Sequence, residues 1–182
     1  MEIDLKRHGG AEGISVAECI DKHIGTWRVR TDFLAEEGEE NQGNVTFIET
    51  EFPYKPSMDE VREFCLGVIN AQTDMKILTG FVWTPEGGNP INVWLSAENQ
   101  RNFSEAERKA AANPLLLPLT FKLGEDANGE AVYHTFETIE ELSGFYDAAF
   151  IYINQCLQEG WQKKDNFDFT PYEHALNPVV TE

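Results

Sequence analysis

The 182-residue chain sets 14 basic side chains against 32 acidic ones, a formal net charge of −18. A field of that sign repels phosphate backbones and anionic membranes, so nucleic-acid and lipid binding are not expected, whereas a basic protein partner would suit it. Its 41% hydrophobic content supports a full globular core rather than disorder, and no apolar run approaches the ~20 residues of a membrane-spanning helix.

In chain order, the opening residues 1–10 lack the apolar core of a secretory signal, so cytoplasmic synthesis is expected. Gly9-Gly10-Ala11-Glu12-Gly13 reads as a flexible arm. Ser15-Val16-Ala17-Glu18 has the form of a capping box, in which a hydroxyl takes an orphan N–H and the Glu reaches back. Val16, Cys19, Ile20 and Ile24 follow at helical spacing, predicting a short N-terminal helix that ends near Gly25. Strands are expected over 27–34 and 44–52, joined by the acidic turn Glu36-Glu37-Gly38-Glu39-Glu40. Pro53 and Pro56 stop the second strand, and Ser57-Met58-Asp59-Glu60 opens a helix to about Asn70 with Met58, Val61, Cys65 and Val68 as its apolar stripe.

A second unit repeats the plan: a strand over 76–83, a turn over 85–90, a returning strand over 91–95, and a helix capped by Ser96 that Asn113-Pro114 terminates. The third has strands over 117–123 and 131–136 and a long helix from Thr138 to about Lys164. Its buried face is expected to carry Leu142, Phe145, Ala149, Tyr152, Cys156 and Leu157. The predicted fold is therefore α+β: three strand-turn-strand-helix units, with antiparallel sheet packed on helices, preceded by a short helix. The loop 70–75 is the expected boundary between a region 1–75 and a region 76–182, with a single body as the alternative.

Chemistry is sparse. Cys19, Cys65 and Cys156 lie far apart with no Cys-x-x-Cys pair, so buried free thiols in a reducing compartment are expected. His8, His23, His134 and His174 have no ligand spacing, and neither a metal nor another cofactor is expected. Glu125-Asp126-Ala127-Asn128-Gly129-Glu130 reads as a hairpin turn rather than a calcium loop, and no nucleophile elbow, phosphate loop or dinucleotide fingerprint occurs. The conspicuous set is aromatic. Trp94 and Phe81 are expected in the core, whereas Trp161, followed by Lys163 and Lys164, together with Trp83 and Tyr146, are the candidate interface residues.

Several blocks carry a family resemblance: Val93-Trp94-Leu95-Ser96-Ala97-Glu98-Asn99-Gln100, Leu117-Pro118-Leu119-Thr120-Phe121-Lys122-Leu123-Gly124, Tyr133-His134-Thr135-Phe136-Glu137-Thr138 and Gly160-Trp161-Gln162-Lys163-Lys164-Asp165. Together they resemble an uncharacterised family of small acidic proteins of phages and prophages in gut Bacteroidetes. The C-terminal half also resembles a domain found beside or within phage tail-fibre and tail-assembly proteins. Glu105-Ala106-Glu107-Arg108 and Asn113-Pro114-Leu115-Leu116 depart from that pattern, around the second helix. The resemblance implies a non-enzymatic structural or interaction protein of the tail or fibre region, with a protein partner, virion association, and homo-oligomerisation as a further possibility. Two alternatives stand beside it: a transient fibre-assembly chaperone and, more distantly, a glycan-directed enzyme using paired carboxylates.

Overall fold

The computed structural model describes residues 3–37, 43–126 and 128–178, so the middle of the expected acidic turn at 36–40 and one residue of the turn at 124–129 lie outside the described residues. The architecture is α+β. The chain divides into two compact units, Met1–Gln72 with Gln162–Glu182, and Thr73–Trp161. The first division falls within the expected boundary at 70–75; the second, which returns the C-terminal segment to the first unit, has no counterpart in the sequence reading.

The first unit is built on a four-stranded antiparallel sheet, β1 (Arg7–Ala11), β2 (Ala17–Asp21), β3 (Thr26–Ala35) and β4 (Asn44–Phe52), in the order β1-β4-β3-β2. One face presents Ala17, Val29, Ile48 and Phe52 to Val61, Phe64, Cys65 and Val68 of helix α1 (Met58–Thr79). Ser57 and Glu60 form the expected capping box: Glu60 accepts the Ser57 N–H at 2.8 Å, and the Ser57 hydroxyl accepts the Glu60 N–H at 3.3 Å.

Three expectations fail here. Gly9, Gly10 and Ala11, read as part of a flexible arm, lie in β1 and pair with Thr46, Val45 and Asn44 of β4. The N-terminal helix is instead strand β2. The Ser15 hydroxyl turns onto Ala17 rather than capping Glu18, and Glu18 is engaged by Arg30 at 2.6 Å, a side chain only 2% exposed that needs the charge. Pairing Ala17 with Val29 and Cys19 with Trp27 then satisfies a backbone that the helix would have left half-exposed, and Ile20 and Ile24 point to solvent. Cys19 accordingly sits on a strand and is only partly buried, whereas Cys65 and Cys156 are buried in helices. Helix α1 also runs nine residues past Asn70, because nothing between Ala71 and Thr79 breaks it; Gly80 closes it by donating to the Lys76 carbonyl at 2.9 Å. The expected loop 70–75 and the first part of the strand 76–83 are thus helical.

The second unit carries β5 (Phe81–Trp83), β6 (Ile91–Val93), β7 (Leu119–Glu125) and β8 (Ala131–Phe136) as two antiparallel hairpins. The hairpins lie side by side, linked by Trp94 N–H to the Leu123 carbonyl at 2.8 Å. Contact is close because residue 124 is glycine: a Cβ there would lie 2.3 Å from the Asn92 carbonyl oxygen. Helices α2 (Ala97–Ala112) and α3 (Ile139–Asp165) follow the two hairpins, as expected. The core gathers Phe81, Val93, Leu95, Phe103, Leu123, Phe136, Leu142, Phe145, Ala149 and Cys156. Phe145 is its centre, with the rings of Phe103, Trp83 and Phe136 at 5.0, 5.0 and 5.1 Å. Tyr152 and Leu157, placed on the buried face of α3 by their spacing, are half-buried.

A seven-residue helix, α4 (Thr170–Leu176), completes the first unit. The sequence reading has no element there, although its signals are present: Asp168 accepts the Thr170 N–H at 2.9 Å, Pro171 occupies the first turn, and Tyr172 and Leu176 repeat at four. Tyr172 packs under β3 and donates its hydroxyl to the Arg30 carbonyl at 2.9 Å.

Candidate functional site

The second unit carries a cleft of about 730 Å³ between α2 and α3. Leu95, Phe103 and Ala149 form its buried floor, and Phe150 and Ile153 its outer wall. Gln100, Arg101, Ser104, Glu105 and Tyr146 supply a polar rim. Glu105 is held by Lys109 and Arg108, which keep its carboxyl below the ordinary value, with Lys109 the larger influence. The rim is therefore charged, its Glu105 paired with two cations, over a floor of side chains without ionisable groups.

Of the expected interface residues, Tyr146 is the one the structure brings to this cleft, with its hydroxyl 3.5 Å from Ser104 Oγ. Trp83 instead serves the core: its ring packs edge-on to Phe145 and against Phe136, with His134 at 4.8 Å. Trp161 is 51% exposed near the end of α3. Lys163 and Lys164 follow on the same helix but in the first unit, where Lys164 donates to Asn70 at 3.0 Å. Sequence reasoning missed Phe150 and Ile153. Their signal was an excess: α3 carries more apolar residues than the stripe Leu142, Phe145, Ala149, Cys156 uses.

The first unit has a smaller, polar cleft of about 220 Å³, lined by Thr31, Asp32, Gln72, Lys163, Asn166 and Phe167 among others. Asp32 sits in a bulge of β3 with φ of 55°, a conformation that short acidic side chains tolerate better than most. It is pinned by Arg7 Nη1 at 2.5 Å and Gln72 Nε2 at 2.6 Å. On the sheet face away from α1, Arg30 is clamped by Glu18, by Glu49 at 3.1 Å and by the Ser15 carbonyl at 2.9 Å.

His134 bonds through Nε2 to Glu141, on α3, at 2.8 Å. Glu141 also accepts the Glu137 N–H at 3.3 Å, and its own N–H donates to Thr138 at 3.2 Å, so the pair is tied to the start of that helix. Among the described residues no group of three or more His, Cys, Asp or Glu side chains is arranged to hold a metal ion, and no helix is long and apolar enough to cross a membrane. Each cleft holds one carboxylate, Glu105 or Asp32, and neither brings together the pair a glycan-cleaving reading requires.

No family model matches the chain, and neither the curated proteins nor the solved structures include a significant match to it.

Proposed function

We propose that the protein is a non-enzymatic protein-interaction protein whose α2–α3 cleft receives an apolar segment of a partner, and that the partner is a phage tail or fibre protein. The single observation that carries the first half is the cleft itself: an apolar floor under a polar rim whose one carboxylate is paired, the anatomy of an interface core. Phe150, 59% exposed on its wall, is the kind of aromatic that anchors such contacts. The tail or fibre assignment rests on the resemblance of the sequence blocks around Trp94, Phe121 and Trp161. A net charge of −18 favours a partner with basic residues beside its apolar segment, because opposite fields speed encounter.

The test is mass spectrometry of purified particles from an induced host, with cross-linking, for the wild-type chain and for Phe150→Asp. The expected result is wild-type protein at a fixed ratio to tail components, cross-links from α2 and α3, and loss of both in the variant. Abundance in lysate with absence from particles would overturn the structural role, and retention of the variant with unchanged cross-links would overturn the cleft.

A further inference from the structure

The sheet side of the second unit has two faces, and the helices use one. Phe81, Val93, Leu95, Leu123 and Phe136 point to the core, so strand alternation sends Val82, Asn92, Trp94, Lys122, Tyr133, Thr120 and Thr135 outward. Trp94, expected in the core, is 38% exposed, and Tyr133 is 65% exposed. Across the face the order is Val82 on β5, Trp94 just past β6, Lys122 on β7, and Tyr133 opposite Lys122 on β8.

We propose that this face is a binding platform for a neutral glycan chain. Three features select that ligand class. First, two exposed rings, an indole and a phenol, stand two strand spacings apart, roughly 10 Å, a separation that only an extended oligosaccharide, not a single sugar, can bridge. A pyranose presents a C–H face that stacks on such a ring and hydroxyl edges that do not. Second, the groups between and beside the two rings are largely hydrogen-bonding, with Val82, 54% exposed on β5, as the apolar side chain at the far edge. The Asn92 amide is exposed, the Thr120 and Thr135 hydroxyls meet at 2.8 Å, and Lys122 Nζ lies 5.3 Å from the indole centre. Third, the patch is neutral inside an acidic protein: Lys122 is paired with Glu125 at 3.0 Å, and the whole chain carries −18. Bases also stack on exposed aromatic rings, but the phosphates that come with them are repelled by that field, whereas an uncharged glycan is indifferent to it.

The platform is also pre-set. Asn92 and Trp94 reach their positions because Gly124 admits the Asn92 carbonyl at 2.3 Å from where a Cβ would stand, with the Trp94 ring edge 3.8 Å from the same point. The Trp94 ring is thus held between Gly124 and Lys122 before any ligand arrives, which lowers the ordering cost of binding at that ring.

The experiment uses the full chain against an array of neutral oligosaccharides that includes β-linked hexasaccharides of glucose and of N-acetylglucosamine, followed by titration calorimetry on the best binder. Trp94→Ala and Tyr133→Ala are each expected to weaken binding roughly tenfold, and Lys122→Ala to weaken it less. Phe150→Asp, on the α2–α3 cleft, is expected to leave it unchanged, which separates this platform from the protein-docking proposal. Far-UV circular dichroism confirms that each variant is folded; Tyr133→Ala, at the most exposed of the positions, keeps the test valid if Trp94→Ala is not. The inference is overturned by an array with no binder, by binding that survives both ring deletions, by a preference for single-stranded DNA, or by a face whose ring variants change only self-association in sedimentation.

Discussion

Three glycines of the second unit let one substitution, Gly→Ala, be read against three different surroundings. Gly144 lies on the exposed side of α3 with nothing within 4 Å of the point where a methyl group would stand, so alanine there collects the helix-propensity difference of about 0.8 kcal/mol and should stabilise the protein. Gly160 starts with the same gain, but its Cβ would meet Thr73 Oγ1 at 2.6 Å and Cγ2 at 3.3 Å. Because both branches of that β-branched side chain crowd the position, rotating χ1 exchanges one contact for the other. Overpacking of this kind costs roughly 1–3 kcal/mol, enough to reverse the sign. Gly124→Ala meets a backbone carbonyl at 2.3 Å, which cannot turn aside, and belongs at the upper end of that range, about 3 kcal/mol.

Urea unfolding followed by far-UV circular dichroism ranks the three, with Gly144→Ala above wild type and Gly124→Ala lowest. Thr73→Ala placed in the Gly160→Ala background should recover most of the loss, giving a double-mutant coupling well above the ~0.5 kcal/mol expected of independent sites. A neutral Gly124→Ala would mean that β6 and β7 are not in contact at Asn92. An additive Thr73/Gly160 pair would sink the packing of α1 on α3 at that point.

Three further outcomes follow from the first unit and the cysteines. Arg30→Ala removes a buried guanidinium and takes from Glu49 its nearest cation, leaving it Arg28 at 3.5 Å, so it should cost roughly 1.5–3 kcal/mol in equilibrium unfolding, whereas Arg62→Ala, at an exposed pair with Glu173 3.5 Å away, should cost under about 1 kcal/mol; equal losses would refute the burial argument. The Glu60 carboxyl is held below its ordinary 4.5, first by the Tyr54 hydroxyl and then by the N–H and hydroxyl of Ser57. A depressed carboxyl contributes stability above its unfolded value and loses it as pH falls through the folded one, so the Tm difference between wild type and Glu60→Gln should shrink below about pH 4.5; a gap that widens with acid contradicts the assignment. With an aromatic disulfide reagent the native protein should titrate Cys19 alone, since Cys65 and Cys156 are buried and burial also pushes the Cys65 thiol up; all 3 thiols should react after denaturation.

Much of the fold was legible because its signals are local. The helices starting after Ser57, Ser96 and Thr138 each begin with a hydroxyl that accepts an N–H three residues on, and the hairpins before the last two carry an alternating pattern. Ser15 shows the limit of that grammar. Its box is the same four-residue pattern, but Glu18 is claimed by Arg30, twelve positions later and on the neighbouring strand, and a buried cation outweighs a cap worth about 1 kcal/mol. The overrun of α1 has the opposite origin. Ile77, Thr79 and Phe81 alternate like a strand, yet a helix already under way adds each residue cheaply, passing even Gly67, and it ends only at Gly80.

The sites were harder, and for a reason that can be located. Reading an aromatic as core assumes that size decides burial, whereas on a strand parity decides it. In Ile91-Asn92-Val93-Trp94-Leu95 the buried residues are Val93 and Leu95, so Trp94 shares the Asn92 face, and it is exposed because α2 and α3 pack on the opposite side of the hairpins. Tyr133 and Lys122 obey the same rule across β7 and β8. An aromatic on the polar parity of a strand gains nothing from the unit's own core, so its presence there asks for a partner outside the unit. The α2–α3 cleft makes the matching argument for a helix, where Phe150, 59% exposed, exceeds what the buried stripe of α3 needs. In both places the informative residue is the apolar one that the fold does not consume.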